Sequence, residues 1–254
     1  MSLFSFASLQ GFQDSIRFFI RTSLMAFWLP YPGDIIAHLY RLLVNTLPVV
    51  GVLSLASGAM LTVQAAASLA LVGGGPYSGT LVGLGGVREV FPILAATAVA
   101  ARSGAQYAST IGSMRISQQI DALELMGINS ARMLISPRIV ATAIGTPICI
   151  LVADLVGVWG SYLVGILQLN IDPGDMWNHL ASSIRLRDIV IGSGKGFLLG
   201  WLIALISSRE GWFVSGGPKG LGQATNRAVV RSLIAVCIAS LVVTYLFYGT
   251  TVIQ

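Results

Sequence analysis

The sequence predicts an all-α integral membrane protein. Two features of composition and one of pattern lead there. Apolar residues fill 55% of the 254 positions and charged ones only 10%, whereas a soluble domain carries about 25% charged residues. Mean hydropathy is +0.81. No charge interrupts the chain between Arg41 and Arg88, a run with room for more than one crossing at about 20 residues each. The expected architecture is an N-terminal interfacial amphipathic helix and five transmembrane helices, with a cytoplasmic helical segment between spans two and three.

Each element has its own warrant. In residues 8–29, Phe12, Ile16, Phe19, Ile20, Leu24 and Phe27 recur at helical spacing, and Asp14, Arg17 and Arg21 fall on the other side. That is the pattern of a helix lying in the interface plane. The charges and the lack of a small-residue cleavage site argue against a signal peptide. Pro30, Pro32 and Gly33 break this helix, and a short second one, about Asp34 to Asn45, leads into the bilayer. The first span is expected at Pro48 to Val72, followed by the turn Gly73-Gly74-Gly75-Pro76. The second runs from Thr80 to Ala105, the third from Ile139 to Leu167, the fourth from Ile189 to Ser207 and the fifth from Val229 to Tyr248. A polar connection around Asn170 to His179 joins spans three and four, and a Gly-rich polar loop, Ser208 to Asn226, precedes span five.

Basic residues orient the chain. Arg17, Arg21, Arg41, Arg102, Arg115, Arg132, Arg138, Arg209, Lys219, Arg227 and Arg231 fall on one side, against Arg185 and Arg187 on the other. By the positive-inside rule the first side is cytoplasmic. The amino end is then inside and, after five spans, the carboxyl end outside. The net charge of +5 reads as this loop bias and not as a nucleic-acid partner.

Charges within the spans are the candidate functional residues, because hydrocarbon tolerates them only beside a partner or a wet cavity. At 1.5 Å per residue, Glu89 lies roughly 20 Å from Arg102, and Lys195 roughly 21 Å from Arg209. They share one depth, with Arg88 beside them. Asp154 is roughly 24 Å from Arg138, close to the same layer. Glu89 and Lys195 are expected either to pair or to face a common polar pocket. Gln64, an amide in the first span, joins this polar set. Gly192, Gly196 and Gly200 recur at every fourth residue, a spacing that admits a neighbouring backbone, from another subunit or from the same chain.

Other chemistries find no support. Gly192-Ser193-Gly194-Lys195-Gly196 fails the phosphate-loop pattern: Ile189 stands where the first Gly belongs and Gly196 where Ser or Thr does. No catalytic constellation stands out. Cys149 and Cys237 sit in apolar runs, and His38 and His179 are isolated; neither a disulfide framework nor a metal site is expected.

Residues 102–138 read as a polar, helix-patterned segment. Ile116, Ile120 and Leu123 make an apolar face, Arg115, Gln118, Gln119 and Asp121 offer polar contacts, Gly127 suits a helix end, and Asn129 or Ser130 suits the next cap. Such a helix lies on lipid or docks in a partner. Here the chain resembles the MlaE/YrbE permeases, the membrane subunits of ABC-type lipid transporters that work with MCE-domain proteins. The resemblance rests on Arg88-Glu89-Val90-Phe91-Pro92, Ala101-Arg102-Ser103-Gly104, Ile111-Gly112-Ser113-Met114-Arg115, Gln119-Ile120-Asp121-Ala122-Leu123, Met126-Gly127-Ile128, Ser136-Pro137-Arg138 and Gly216-Gly217-Pro218-Lys219-Gly220-Leu221-Gly222. It spans about residues 9 to 249.

The resemblance implies a single permease domain over 1–254, with interfacial and elbow helices in 1–45 and the bundle in 46–250. It implies an inner (plasma) membrane location, a second permease copy or paralogue, and a cytoplasmic ABC ATPase that itself holds ATP and Mg. The helix around Arg115 to Leu123 is then the coupling helix, an MCE ring sits outside, and hydrophobic lipid moves through a cavity lined or braced by Arg88, Glu89 and Lys195. Thr110 and Gln118 depart from the family's usual acidic residues, which leaves homodimer and heterodimer both open. A gradient-driven transporter and a non-transporting membrane scaffold are the alternatives.

Overall fold

The computed structural model describes residues 18–20, 22–24, 32–70 and 74–249. Most of the expected interfacial helix lies outside the described residues. The described residues form helices and no strands. In chain order these are α1 (Pro32–Ala70), α2 (Ser78–Ile116), α3 (Gln119–Leu125), α4 (Ser130–Leu134), α5 (Ser136–Leu167), α6 (Pro173–Ser183), α7 (Leu186–Trp212) and α8 (Gly217–Tyr248). Five stretches are long and apolar enough to cross a membrane: α1, α2, α4 with α5, α7 and α8.

The helices are longer than the apolar runs suggest. The expected short helix at 34–45 and the first span form one helix of 39 residues, about 58 Å long. Pro48 lies inside it; such prolines are tolerated where packed neighbours compensate for the lost bond. From Leu42 onward its buried residues fall at every fourth position: Leu42, Thr46, Val50, Ser54, Gly58, Thr62 and Ala66. That ridge packs on α5. Leu42 meets Gly145, Gly58 meets Gly157, and Thr62 donates to Ser161 at 2.6 Å. Residue numbers rise together along the contact, so the two helices run parallel. A Cβ on Gly58 would stand 2.0 Å from the Gly157 carbonyl oxygen, so this approach requires glycine.

Helix α2 runs eleven residues beyond the expected end of its span, and it is not uniformly α-helical. Two segments, Val82–Val90 and Ala100–Gly104, are π-helical; at the end of the first, Phe91 N–H bonds the Gly86 carbonyl five residues back. The Phe91 ring is fully buried and fills the space left by Gly86 and Gly157. The glycines of α7 divide. Gly196 packs on Pro147 and Ile150, and Gly200 on Thr142 and Thr146, all within α5, whereas a Cβ at Gly192 would meet nothing within 4 Å.

Two connections differ from expectation. The supposed loop from Ser208 to Asn226 is helical except for Phe213 to Gly216, because Pro218 occupies the first turn of α8, where its missing N–H has no intrahelical partner to lose. The polar link between α5 and α7 contains α6, capped by Asp172, whose side chain accepts from the Gly174 and Asp175 amides. The bundle thus has an arginine-rich end, where α2, α5, α7 and α8 meet around Arg138, Glu210 and Arg231, and an opposite end closed by α6.

Candidate functional site

The wide turn of α2 brings Arg88 and Glu89 toward α7 and α8. Lys195 Nζ donates to both Glu89 carboxylate oxygens, at 3.0 and 2.9 Å, to Thr244 Oγ1 at 3.0 Å and to the Arg88 carbonyl at 3.3 Å. Thr244 also donates to Glu89, as does Ser240 at 3.3 Å. The Lys195 side chain is 2% exposed and that of Glu89 33%. The cation is sealed, while the carboxylate borders a cavity of about 580 Å³. Ile93, Cys237, Leu241 and Tyr245 give that cavity mainly apolar walls.

Arg88 does not join this pair. It turns toward the opposite end, where its Nη2 donates to Asp188 Oδ2 at 3.2 Å and its Nε makes an ion-pair contact with Oδ1 at 3.0 Å. Tyr248 donates to Asp188 at 2.7 Å, and the Arg88 guanidinium stacks 4.7 Å over the Tyr248 ring. Asp188 also caps α7 by accepting from the Arg185 amide. Asp154 stands apart: it is buried in α5, and its Oδ1 has no hydrogen-bond partner among the described residues. Gln64 is exposed on α1, beside a shallow cleft with Leu61, Ser68 and Leu81.

At the arginine-rich end the expected amphipathic helix is two pieces. Gln118 takes a left-handed conformation (φ 57°), so Arg115 and Ile116 complete α2 and Gln119 opens α3. Ile116, Ile120 and Leu123 therefore do not share one apolar face; Ile120 is fully buried against Ile111 and Ile135, while Ile116 is exposed. Arg115 braces the bend through Asp121 at 2.5 Å. Gly127 (φ 75°) reverses the chain, Asn129 Oδ1 caps α4, and Ser130 donates to Glu124 at 2.8 Å. Leu125 and Met126 protrude from this hairpin, 90% and 66% exposed. Gln118 and Gln119 are exposed as well.

Another buried carboxylate lies nearby. Glu210, near the end of α7, accepts from Arg209 at 2.9 Å, from Arg227 Nε at 3.3 Å and from Arg231. Sequence reasoning singled out none of Glu210, Asp188, Thr244, Ser240 and Tyr248. Thr244 and Ser240 left a signal, two hydroxyls four residues apart in an otherwise apolar span. Glu210 left none, being hidden in a stretch that reads as loop.

Comparison with known proteins decides the family. The family model described as Permease MlaE matches residues 35–246, which enclose Glu89, Asp188, Glu210 and the α3 hairpin. The chain belongs to the MlaE permease family. A probable ABC transporter permease protein of Rickettsia felis is 33% identical over 97% of this chain and 90% of its own length. One of Rickettsia bellii is 34% identical over 80% of this chain and 78% of its own. The intermembrane phospholipid transport system permease protein MlaE of Haemophilus influenzae is 30% identical over 67% of this chain and 66% of its own. With five apolar helices and this membership, the chain is a multi-pass membrane protein.

Proposed function

We propose that this chain is the permease subunit of an ATP-driven transporter that moves membrane lipid to or from an MCE-protein conduit. The carrying observation is the cavity beside Glu89: apolar walls of a size that suits a ligand pocket, with a polar edge held by Lys195, Ser240 and Thr244. Acyl chains suit the walls, and the polar part of a lipid suits the edge. The phospholipid named in the Haemophilus relative supports that cargo class.

In this reading ATP and Mg belong to a separate ABC ATPase. The α3 hairpin is its docking element, with Leu125 and Met126 offered to a groove and Gln118 and Gln119 beside them. Arg115, pinned to Asp121, carries the ATPase's movement into α2, and α2 carries it to Glu89. The arginine-rich end is cytoplasmic, the membrane is the inner (plasma) membrane, and the amino end is inside and the carboxyl end outside. MCE proteins meet the opposite end, around α6. Two permease chains, identical or paralogous, complete the transporter.

Lipid transfer in proteoliposomes that contain the permease, its ATPase and fluorescent phospholipid tests the proposal. Transfer should require ATP, and Leu241→Trp, which fills the cavity, should slow it several-fold without loss of protein. Transfer that continues at the same rate without ATP rejects the reading.

A further inference from the structure

The arginines around Glu210 form a cationic surface distinct from the Glu89 cavity. Three guanidinium groups share one carboxylate that is 5% exposed, which leaves a local charge of +2. Arg209 is the inner member, its guanidinium 5.6 Å from the Phe213 ring centre. Arg227 and Arg231 are half exposed, at 48% and 52% of their side chains. Each gives Glu210 one hydrogen bond from a group with five donors. The carboxylate thus aims both forks while leaving most of their donors for something else.

Their position on α8 says what that is. Arg227, Arg231, Ile234, Ile238, Leu241 and Tyr245 follow one another at steps of four and three, on one face of the helix. The four apolar members are 55 to 70% exposed. Arg231 is the last charged residue of the chain. From it to Tyr248 the helix rises about 25 Å, close to the roughly 30 Å of a hydrocarbon core. The two arginines therefore stand where the apolar stripe meets the headgroup layer. A planar guanidinium matches a phosphate oxygen pair in two parallel hydrogen bonds, and two of them, one helical turn apart, make a clamp.

We propose that Arg227 and Arg231, oriented by Glu210, bind the phosphate of an anionic phospholipid whose acyl chains lie along Ile234 and Ile238. This site sits at the other end of the bundle from the Arg88–Asp188 cluster. It does not depend on the transport reading, since an anchoring lipid requires neither ATP nor cargo movement.

Native mass spectrometry of the full-length chain in detergent tests it, with phosphatidylglycerol, phosphatidylcholine and inorganic phosphate titrated in turn. Phosphatidylglycerol should bind in preference to phosphatidylcholine. Arg227→Gln with Arg231→Gln should lower its occupancy about tenfold to thirtyfold, as expected from the loss of two interfacial charges, and leave phosphatidylcholine unchanged. Arg185→Gln with Arg187→Gln, at the opposite end, should have no effect. Equal phosphatidylglycerol occupancy in wild type and the Arg227/Arg231 variant overturns the proposal. Displacement of the lipid by millimolar inorganic phosphate overturns it in favour of a free-anion site. Loss of self-association with lipid occupancy intact overturns it in favour of a second copy of the chain on this face. Should the double variant misfold, Arg231→Lys carries the test, because it keeps the charge and loses the fork. A fall in phosphatidylglycerol relative to phosphatidylcholine supports the clamp, and an unchanged ratio rejects it.

Discussion

Glu89 and Glu210 solve the same problem in opposite ways. Each is a carboxylate in a largely apolar bundle, and each is neutralised by basic side chains. At Glu89 the cation is sealed, Lys195 being 2% exposed, and the carboxylate borders the cavity. At Glu210 the carboxylate is sealed and two of its three cations face outward. The comparison teaches that the partner left in view decides what a buried ion pair can recruit. The first presents hydrogen-bond acceptors to a cavity, the second presents donors to a surface.

Removing the visible partner at Glu89 should hurt most. Glu89→Gln strands a buried ammonium and should cost about 3–5 kcal/mol in reversible unfolding in detergent. Adding Lys195→Met should recover most of that loss; a double variant no more stable than the single one would break the comparison. Exchanging the charges, Glu89→Lys with Lys195→Glu, sharpens it further. If the pair also serves the cavity, folding should return but lipid transfer should not; full transfer would make the pair purely structural. Glu210→Gln should cost less, about 1–2 kcal/mol, since water solvates the half-exposed arginines that it releases. A loss as large as that at Glu89 would show that exposure does not distinguish the two sites. Arg88→Gln should cost about 1 kcal/mol, because Asp188 keeps the Tyr248 hydroxyl and the Arg185 amide. Ser240→Ala removes one long hydrogen bond and should cost no more than about 0.6 kcal/mol by the same unfolding assay.

The five spans were legible because hydrocarbon admits so few charges that their absence marks a crossing. The Glu89–Lys195 contact was legible for a related reason: both residues sit equally far from a basic residue that marks the same end. Helix ends were not. Backbone hydrogen bonds continue past the apolar run wherever packing allows, and small residues such as Ser103, Gly104 and Gly211 let α2 and α7 extend side by side. The bend at Gln118 gave no warning, since left-handed geometry is ordinarily the habit of glycine or asparagine. Asp154 also lies near the polar layer by depth, but depth along an axis says nothing of direction around it. Asp154 Oδ1 has no hydrogen-bond partner among the described residues, and Lys195 bonds Glu89 instead. The Arg88 side chain, adjacent to Glu89, turns to Asp188 instead of Lys195, since consecutive helical residues diverge by about 100°.

That angle gives the π-helical segment of α2 a consequence of its own. A turn closed over five residues instead of four takes up one additional residue, so every side chain downstream is rotated by about 100° from where a regular helix would put it. The stretch Val82–Val90 therefore sets the phase between the Gly79–Gly83 face on α6 and the Phe91 face on α5. Excising one residue there would leave the composition and the span almost untouched, yet the two faces of α2 could no longer seat together. The register of this helix is stored in its count of residues as much as in their identities.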